Sequence, residues 1–375
     1  MKILHVIDSG GLYGAEIMLL ALMVEQQRQG HSPVLCSISA NSKEEKEVET
    51  KAMQLGLDVE VFPMRPGLNL QGAACLRQFG EQSRADLFHS HGYKPRILLS
   101  LPTAFKYRIP ELSTIHGWTN TRTFSKLRIY EWLDAQVLKK KDAIVVVSSS
   151  LINHSNLVSA GIDDNKLYVI ENGVSTEAIP TGDEQTHNDI EQFCKGAFTI
   201  LAVGRLANEK GISYLVEAFK LVRRQRDDLK LLIIGAGPLE SSLRQQVADL
   251  RLDEAVLFTG YLDNARQYMK YCDLYMISSL TEGLPITLLE AMSEKLPLVS
   301  TAVGGIPGVI QHEIHGLLVP AQNPAVLAEA VERVVCESGN ARDWVENAYQ
   351  LVTEKYSACI MANAYEKVYR DLIPG

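Results

Sequence analysis

Residues 278–308 read SSLTEGLPITLLEAMSEKLPLVSTAVGGIPG, and this stretch decides the fold class of the chain. Glu282 and Glu290 stand eight positions apart, with a Gly-Leu-Pro turn and an apolar run between them. Proline fits the first turn of a helix because its missing N–H would be unpaired there anyway. We therefore predict a loop that ends near Gly283 and a helix that begins near Pro285. Glu282 then lies at the mouth of the helix, and Glu290 just over one turn inside it.

The mouth of this predicted helix suits an anion. Its free backbone N–H groups and the positive end of the helix dipole point the same way. Pro285 has no N–H and removes one donor, so the N–H groups of Leu284 and Ile286 would have to bind the anion. A carboxylate beside an anion site is unusual unless the ligand carries both phosphate and hydroxyl groups. A sugar nucleotide carries both, and we predict one as the ligand.

The spacing of Glu282 and Glu290 resembles the E-x7-E motif of the retaining glycosyltransferases of family 4. Two glutamates at this spacing are weak evidence alone, since the helix dipole also favours an N-terminal glutamate on a surface helix. The continuation makes the motif specific, because the run 296–301 and the Gly-Gly-x-Pro turn within 303–307 are similar to those of the family. The resemblance implies the GT-B fold, an α/β architecture of two Rossmann-like, doubly wound parallel-sheet domains that face each other across a cleft.

Length and composition limit the alternatives. The chain has 375 residues, a net charge of −8 and 46% hydrophobic residues, which is typical of a globular protein with two domains. The acidic balance argues against nucleic acid as a partner. The start, MKILHVID, is too short for a signal peptide, and no stretch approaches the ~20 apolar residues of a membrane span. The six cysteines form no C-x-x-C pair, so we expect reduced core residues and a cytoplasmic location.

Apolar runs alternate with helical patterns, which predicts two parallel sheets covered by helices. We place an N-terminal, acceptor-side domain at 1–175, a polar linker without periodicity at 176–197, and a C-terminal nucleotide-sugar domain at 198–355. By the resemblance, the helix within 356–375 crosses back onto the N-terminal domain. The predicted strands are 2–8, 32–38, 59–62, 86–89, 111–115, 143–147 and 167–170, then 198–203, 230–234, 256–259, 274–277 and 316–319.

Glycines and histidines mark the ends of the N-terminal strands, where ligands of parallel sheets bind. The loop after the first strand contains no G-x-G-x-x-G, so it is not a dinucleotide fingerprint. In the family this loop faces the donor phosphates and the acceptor, through either Gly11 or Gly14. We prefer Gly14, because it directly precedes the helix.

His89 and His91 alternate along one strand and share a face. They would suit a metal pair, but no third ligand is apparent, and a hydrogen-bonded structural role is favoured. His116 closes the next strand. The resemblance places it among the residues that line the donor sugar pocket, where we expect it to hydrogen-bond a sugar hydroxyl.

Residues 122–141 form a basic amphipathic segment in an acidic chain. An apolar stripe at helical spacing includes Leu133, Val137 and Leu138, and a lysine cluster ends at Lys141. Such a helix can lie on anionic lipid and would place the protein on the inner face of the cytoplasmic membrane. The alternative is a helix packed on the domain core, with a solvated lysine end that complements the helix dipole.

The loop GRLANEKG at 204–211 carries two cations, Arg205 and Lys210. Arginine binds a diphosphate in a bidentate way and lysine acts as a point charge. The spacing is similar to the family's diphosphate clamp, although two solvated surface cations remain the alternative. Gly235 opens a G-x-G-P turn that lies beside the nucleotide in the family, and the backbone near Leu262 resembles its base-reading loop.

The resemblance implies transfer of a sugar from a nucleotide diphosphate with retention at the anomeric carbon, and with neither a metal nor another cofactor. Glu282 would hold hydroxyls of the donor sugar and Glu290 those of the ribose, and the acceptor proton would go to the leaving phosphate. The candidate catalytic residues are Glu282, His116, Arg205 and Lys210, and the donor-binding candidates are Gly11, Gly14, Arg205, Lys210, Gly235, Leu262, Gly283, Leu284, Ile286 and Glu290.

A UDP-sugar is the favoured donor and GDP-mannose the second candidate. The acceptor would be a saccharide or a lipid-linked saccharide in polysaccharide assembly. One alternative is a sugar-nucleotide epimerase or hydrolase on the same fold, which would turn over the donor without an acceptor. The other is a non-catalytic nucleotide-binding module, against which the intact set of two cations and two glutamates argues.

Overall fold

The computed structural model of the chain describes residues 1–373 apart from residues 10, 13, 41–45, 66, 68, 102–107, 118–133, 135, 153, 176–183 and 263. The chain divides into two compact units. Unit 1 comprises Met1–Gly173 and Ala358–Gly375, and unit 2 comprises Val174–Ser357.

Unit 1 is built on a seven-stranded parallel sheet. Its strands are β1 (Lys2–Ile7), β2 (Ser32–Ser39), β3 (Asp58–Pro63), β4 (Leu87–His91), β5 (Glu111–Ile115), β6 (Ala143–Val146) and β7 (Leu167–Val169). Their order in the sheet is β3-β2-β1-β4-β5-β6-β7. The order reverses between β1 and β4, which is the point where doubly wound sheets bind ligands. Among the described residues of Met1–Gly173, the α-helices are α1 (Gly14–Arg28), α2 (Glu47–Gln54), α3 (Leu70–Gln82), α4 (Tyr93–Ser100) and α5 (Ser155–Ala160).

Unit 2 is built on a six-stranded parallel sheet. Its strands are β8 (Phe198–Val203), β9 (Leu229–Ile234), β10 (Val256–Phe258), β11 (Leu274–Ile277), β12 (Leu298–Thr301) and β13 (Leu317–Val319), ordered β10-β9-β8-β11-β12-β13. The order reverses between β8 and β11. The helices are α6 (Glu184–Cys194), α7 (Ile212–Arg223), α8 (Glu240–Asp249), α9 (Ile286–Ser293), α10 (Pro324–Cys336) and α11 (Ser338–Lys355). Buried leucine, isoleucine and valine side chains of the strands and of α7 and α10 form its core.

The last helix, α12 (Ala358–Leu372), belongs to unit 1 although it follows unit 2 in sequence. It packs on α1, where the Gln26 side-chain amide donates to the Tyr369 hydroxyl at 3.0 Å. Tyr365 and Tyr369 of α12 are fully buried. These contacts bring the end of the chain onto the face of the sheet that carries the N-terminal histidines.

The observed strands match the predicted ones to within two residues, and the predicted doubly wound α/β class is confirmed. The prediction of an aperiodic linker at 176–197 is wrong for Glu184–Cys194, which is α6. Its buried side chains are His187, Ile190 and Cys194, and two of these are weak hydrophobic signals in a sequence.

All six cysteines are free thiols, but Cys75, Cys336 and Cys359 are exposed, so the expectation of core cysteines holds for only half of them. Among the described residues, no helix has the length and apolar character needed to cross a membrane.

Candidate functional site

The loops after β8 and β11 meet at the switch point of unit 2. Lys210 Nζ from the first loop lies 2.6 Å from Glu282 Oε1 in the second, and the Ser279 hydroxyl donates to the same carboxylate oxygen at 2.6 Å. Two further hydrogen bonds connect the loops, since the Ser278 hydroxyl donates to the Lys210 carbonyl and the Leu280 N–H donates to the Glu209 carbonyl. The predicted cation and the first predicted glutamate therefore form one charged pair.

Arg205 is placed differently from Lys210. Its side chain is exposed, and it forms no ion pair with the residues that the structure describes. The Leu206 N–H donates to the Ala236 carbonyl at 3.0 Å, which holds the Arg205 loop against the turn that begins at Gly235. The guanidinium is thus free to bind an anion, whereas Lys210 is engaged with Glu282.

Three glycines make this close packing of loops possible. A Cβ on Gly304 would stand 1.7 Å from the Glu282 carbonyl oxygen, and Gly304 has φ of +57°. A Cβ on Gly211 would stand 2.2 Å from the Ser278 carbonyl oxygen, and one on Gly235 would stand 2.0 Å from the Gly204 carbonyl oxygen. Only a residue without a side chain fits such approaches, which explains the glycines on both sides of the Lys210–Glu282 pair.

Helix α9 begins at Ile286, with Pro285 in extended conformation as its N-cap. The prediction of a helix starting near Pro285 is confirmed, and Glu290 lies just over one turn inside it. The N–H of Ile286 has no acceptor within the helix, because a helix leaves its first N–H groups unpaired. Gly283 is exposed and Leu284 is partly buried, so the turn before the helix is open to a ligand.

Glu290 is buried, with 6% of its surface exposed. Its carboxylate has no hydrogen-bond partner among the described residues. Burial raises its pKa to about 7, the Arg266 guanidinium opposes this rise, and the neighbouring Glu294 carboxylate adds to it. Arg266 is itself occupied, since its Nε donates to Glu294 at 2.6 Å. A buried carboxylate that lacks a donor favours hydroxyl groups supplied by a ligand.

Four histidines gather at the switch point of unit 1. His5 of β1 is paired in register with His89 of β4, and Ile7 with His91. His5 Nδ1 lies 3.1 Å from His91 Nε2, and His91 Nδ1 lies 3.3 Å from His116 Nε2. Burial lowers the pKa of His5 and of His116 to about 4 and places those of His89 and His91 well below their usual value.

The expectation that His89 and His91 have no third ligand nearby is wrong, because His5 joins them with ring nitrogens all within 4.8 Å. Every ring nitrogen of these three histidines is nevertheless hydrogen-bonded. His5 Nε2 bonds to Gln26, and the His89 ring bonds to Tyr369 and Thr114. The lone pairs that a metal needs are therefore in use, and the geometry supports the hydrogen-bonded role.

Gly14 is the first residue of α1, as its position before the helix predicted, and Gly11 is buried in the preceding loop. The Ser9 hydroxyl oxygen lies 2.7 Å from both the Gly11 carbonyl oxygen and Glu16 Oε1, and it can donate to either. Leu262 lies partly buried after the Gly260 carbonyl, which accepts from the Gly235 N–H. These loops lie at the carboxyl ends of their strands, as the sequence predicted.

The basic segment 122–141 lies mostly outside the described residues, which include only Asp134 and 136–141 of it. Leu138 is buried in the core with Ile144 and Val146. Lys141 is fully buried and forms an ion pair with Glu111, so its assignment to a solvated or membrane-facing lysine cluster is wrong. Lys139 and Lys140 are exposed.

Sequence reasoning missed several residues of these sites. Ser279 stands in the decisive stretch beside Glu282, and its hydroxyl was a readable signal. Arg266, which approaches Glu290, gave no local signal because it lies 24 positions upstream. Gln26, Tyr365 and Tyr369 reach the histidines only through the packing of α1 and α12.

Comparisons with known proteins agree with this architecture. The family model for glycosyltransferase family 4 matches residues 13–178, and the model for glycosyl transferases group 1 matches residues 183–351. The uncharacterized glycosyltransferase MJ1607 of Methanocaldococcus jannaschii is 36% identical over 46% of this chain, a match that spans only 44% of that relative. The N-acetyl-alpha-D-glucosaminyl L-malate synthase of Bacillus anthracis is 25% identical over 82% of this chain and 80% of its own.

The solved structures agree as well. The chain is similar to Alr3699/HepE of Anabaena in complex with UDP, with a TM-score of 0.81, 20% identity, and coverage of 99% of this chain and 100% of that one. The same Anabaena protein in complex with UDP-glucose gives a TM-score of 0.80.

The two parallel Rossmann-like sheets have the GT-B fold of these solved structures, and the family models identify the class of protein as a glycosyltransferase. The chain belongs to the family 4-like glycosyltransferases, which the two family models match over its two units in turn.

Proposed function

We propose that this glycosyltransferase moves a sugar from a UDP-sugar to a saccharide or lipid-linked saccharide, with retention at the anomeric carbon and without a metal. GDP-mannose is the second candidate donor. The observation that carries the proposal is the arrangement in unit 2, where the Lys210–Glu282 pair stands beside an exposed Arg205 and the start of α9, and α9 buries an unpaired Glu290.

The diphosphate would bind Arg205, Lys210 and the backbone N–H groups of Leu284 and Ile286. Arg205 is exposed and unpaired with described residues, so it can take a bidentate grip on phosphate oxygens. Lys210 Nζ has three donors, of which Glu282 uses one, so it can bridge the carboxylate and a phosphate oxygen. These cations would stabilise the negative charge that grows on the leaving phosphate, a role that a metal plays elsewhere.

The two glutamates would read the two sugars of the donor. Glu290 is buried without a donor, and the vicinal hydroxyls of a ribose would supply two. Glu282 is held in place by Lys210 and Ser279 on one oxygen, which leaves its other oxygen for hydroxyls of the transferred sugar. His116 would hydrogen-bond a further sugar hydroxyl, as the resemblance implies.

The reaction would pass through an oxocarbenium-like transition state. A retaining glycosidase needs two carboxyl groups about 5 Å apart that flank the anomeric carbon. Glu282 and Glu290 instead lie on one loop and the helix that follows it, so both suit donor binding. The acceptor hydroxyl would give its proton to the leaving phosphate as the new glycosidic bond forms.

The donor assignment draws on the Anabaena structural neighbour, which was solved with UDP and with UDP-glucose. An epimerase or hydrolase on the same fold would consume the same donor without an acceptor. Product analysis separates these activities, because only transfer yields an acceptor that is heavier by one sugar.

The test is a thermal-shift screen of sugar nucleotides, followed by transfer assays with candidate acceptors and product mass, with and without EDTA. Arg205→Ala and Lys210→Ala should each lower transfer about 10²-fold or more, the scale for removal of one preorganised donor. Arg224→Ala, at an exposed arginine of the same unit, is the matched control and should transfer like the wild type. Wild-type turnover in both site variants would contradict the phosphate assignment, and activity lost in EDTA and restored by magnesium would contradict metal independence.

A further inference from the structure

His5, His91 and His116 of unit 1 form a single chain of hydrogen bonds that begins at Gln26. Gln26 Oε1 lies 2.7 Å from His5 Nε2, His5 Nδ1 lies 3.1 Å from His91 Nε2, and His91 Nδ1 lies 3.3 Å from His116 Nε2. In each hydrogen bond between two rings, one ring donates an N–H and the other accepts with a lone pair. The position of a single proton therefore sets the direction of each hydrogen bond.

The Gln26 amide fixes the direction of this chain. Its Nε2 donates to the Tyr369 hydroxyl at 3.0 Å, so its Oε1 faces His5 and must accept from His5 Nε2–H. His5 Nδ1 then carries a lone pair and accepts from His91 Nε2–H. His91 Nδ1 in turn accepts from His116 Nε2–H. The remaining nitrogen, His116 Nδ1, is left with a lone pair.

His116 Nδ1 is the one ring nitrogen of the four histidines that is buried and has no partner among the described residues. Reversing the chain would put an N–H at this unpaired position instead of a lone pair. Buried N–H groups without partners are rarer than under-satisfied acceptors, so the direction that Gln26 sets is the more stable one. The low pKa values of the four rings agree with neutral imidazoles, each with one proton to place.

A second branch from the same amide supports this direction. The Tyr369 hydroxyl accepts from Gln26 and lies 2.8 Å from His89 Nδ1, so its own proton is available for His89 Nδ1. His89 Nε2–H then donates to the Thr114 hydroxyl at 2.7 Å, and Thr114 is in turn bonded to Tyr365. The two sets of hydrogen bonds that start at this amide are therefore compatible with each other.

We propose that Gln26, His5 and His91 are positioning residues that hold His116 as its Nε2–H tautomer, so that Nδ1 presents a lone pair to a ligand hydroxyl. This role rests on the proposed function in one respect, that the ligand is a sugar. The site would accept a hydrogen bond from the hydroxyl and would not donate one. A sugar that lacks this hydroxyl would leave the buried nitrogen unpaired and would be a poorer substrate.

The test reads the tautomer directly, by side-chain 15N–1H correlation spectra of the full-length protein with 15N-labelled histidine. The His116 signals are assigned by their loss in His116→Gln. In the wild type we expect Nε2 protonated and Nδ1 unprotonated. Gln26→Met, which removes the polar end at similar length, should give signals of both tautomers, and Gln26→Glu, which keeps the acceptor, should retain the wild-type tautomer.

Kinetics provide the second readout. Gln26→Met should lower kcat about threefold or more while inhibition by UDP, which lacks the transferred sugar, stays unchanged, because only the competent fraction of His116 binds the hydroxyl well. Ser90→Ala is the matched control, since Ser90 is buried between His89 and His91 on β4 but bonds to β5. It should keep the wild-type tautomer and turnover.

A wild-type protein protonated at His116 Nδ1, or a single unchanged Nε2–H tautomer in Gln26→Met, would overturn the proposal. If Gln26→Met does not fold, His5→Phe is the second variant. It removes the hydrogen bond between His5 and His91, and it must give the same mixture of His116 tautomers. The spectra need no substrate, so a protein with the expected tautomers that turns over no sugar nucleotide would refute the proposed function and leave the positioning role standing.

Discussion

Burial of Glu290 links the stability of unit 2 to pH. Its folded pKa of about 7 lies above the ordinary 4.5, so between these values the folded protein binds more protons than the unfolded chain. Stability therefore falls as pH rises through this window, by roughly 3 kcal/mol in all for one group. This loss of stability is absent well below the ordinary pKa of 4.5 and complete well above the folded pKa of about 7.

Glu290→Gln should remove this dependence. The free energy of unfolding of Glu290→Gln minus that of the wild type should increase by about 3 kcal/mol as the pH rises from 4 to 8. Denaturant unfolding of the ligand-free protein at a series of pH values measures it. Glu254→Gln, at an exposed carboxylate of the same unit, is the surface control. Parallel profiles for wild type and Glu290→Gln would show that Glu290 does not carry the effect.

Substitutions of Glu282 and Glu290 should have different effects on the binding of UDP and UDP-glucose. Glu290→Ala should weaken UDP and UDP-glucose by the same factor, about tenfold for a lost pair of charge-assisted hydrogen bonds. Glu282→Ala should bind UDP nearly as the wild type does and lose turnover, because the proposed ligand of Glu282 is the transferred sugar and its partners in the structure are Lys210 and Ser279. Calorimetry with both ligands decides, and the reverse pattern would exchange the two roles.

At the scale of elements, the turn after β12 supports the loop that carries Glu282. The Gly305 N–H donates to the Gly283 carbonyl at 2.9 Å, and Gly304 lies directly against the Glu282 carbonyl. Gly304→Ala would add a Cβ at 1.7 Å from that oxygen at a positive φ. One loop would have to move, and Glu282 would leave Lys210.

We expect Gly304→Ala to cost about 2 kcal/mol or more and to lower the melting temperature by several degrees, with a loss of turnover. Gly308→Ala, four positions further along in the same Gly-Gly-Ile-Pro-Gly segment, is the matched control, because nothing lies within 4 Å of its added Cβ. Calorimetric melting of both variants with the transfer assay tests this. Equal stability and turnover in the two would show that the close approach is not needed.

At the scale of the whole molecule, the basic segment 122–141 bears on whether the acceptor lies at a membrane surface. Lys141 is removed from the candidate membrane contacts by its buried pair with Glu111, whereas Lys139 and Lys140 are exposed. Each lysine near an anionic surface contributes about 1 kcal/mol. If the segment binds lipid, Lys139→Ala with Lys140→Ala should reduce sedimentation with anionic vesicles at low salt.

Lys220→Ala with Lys270→Ala, two lysines of unit 2, controls for the loss of two positive charges and should bind vesicles like the wild type. High salt should release the wild type as screening shortens the reach of the charges. Negligible and equal binding of all three proteins would make a soluble saccharide the better acceptor.

The sequence by itself determined the class of this protein. The alternation of apolar runs and helical patterns gave strand positions to within two residues, because strand and helix periodicity are local properties of the chain. The stretch from Glu282 to Glu290 likewise placed a loop, a helix start and a glutamate inside that helix. Proline and glycine act on the backbone where they stand, so their effect is readable without knowledge of the rest of the molecule.

Only the tertiary structure decided which side chains meet. Lys210 and Glu282 lie 72 positions apart, and Gln26 and Tyr369 lie 343 apart. Their contacts depend on strand order and register, which bring β8 beside β11 and β1 beside β4. The same dependence explains why Lys141 is buried on Glu111 of a neighbouring strand although its local sequence is basic and polar. A side chain's partner is set by what the fold places opposite it, and local pattern carries no information about that.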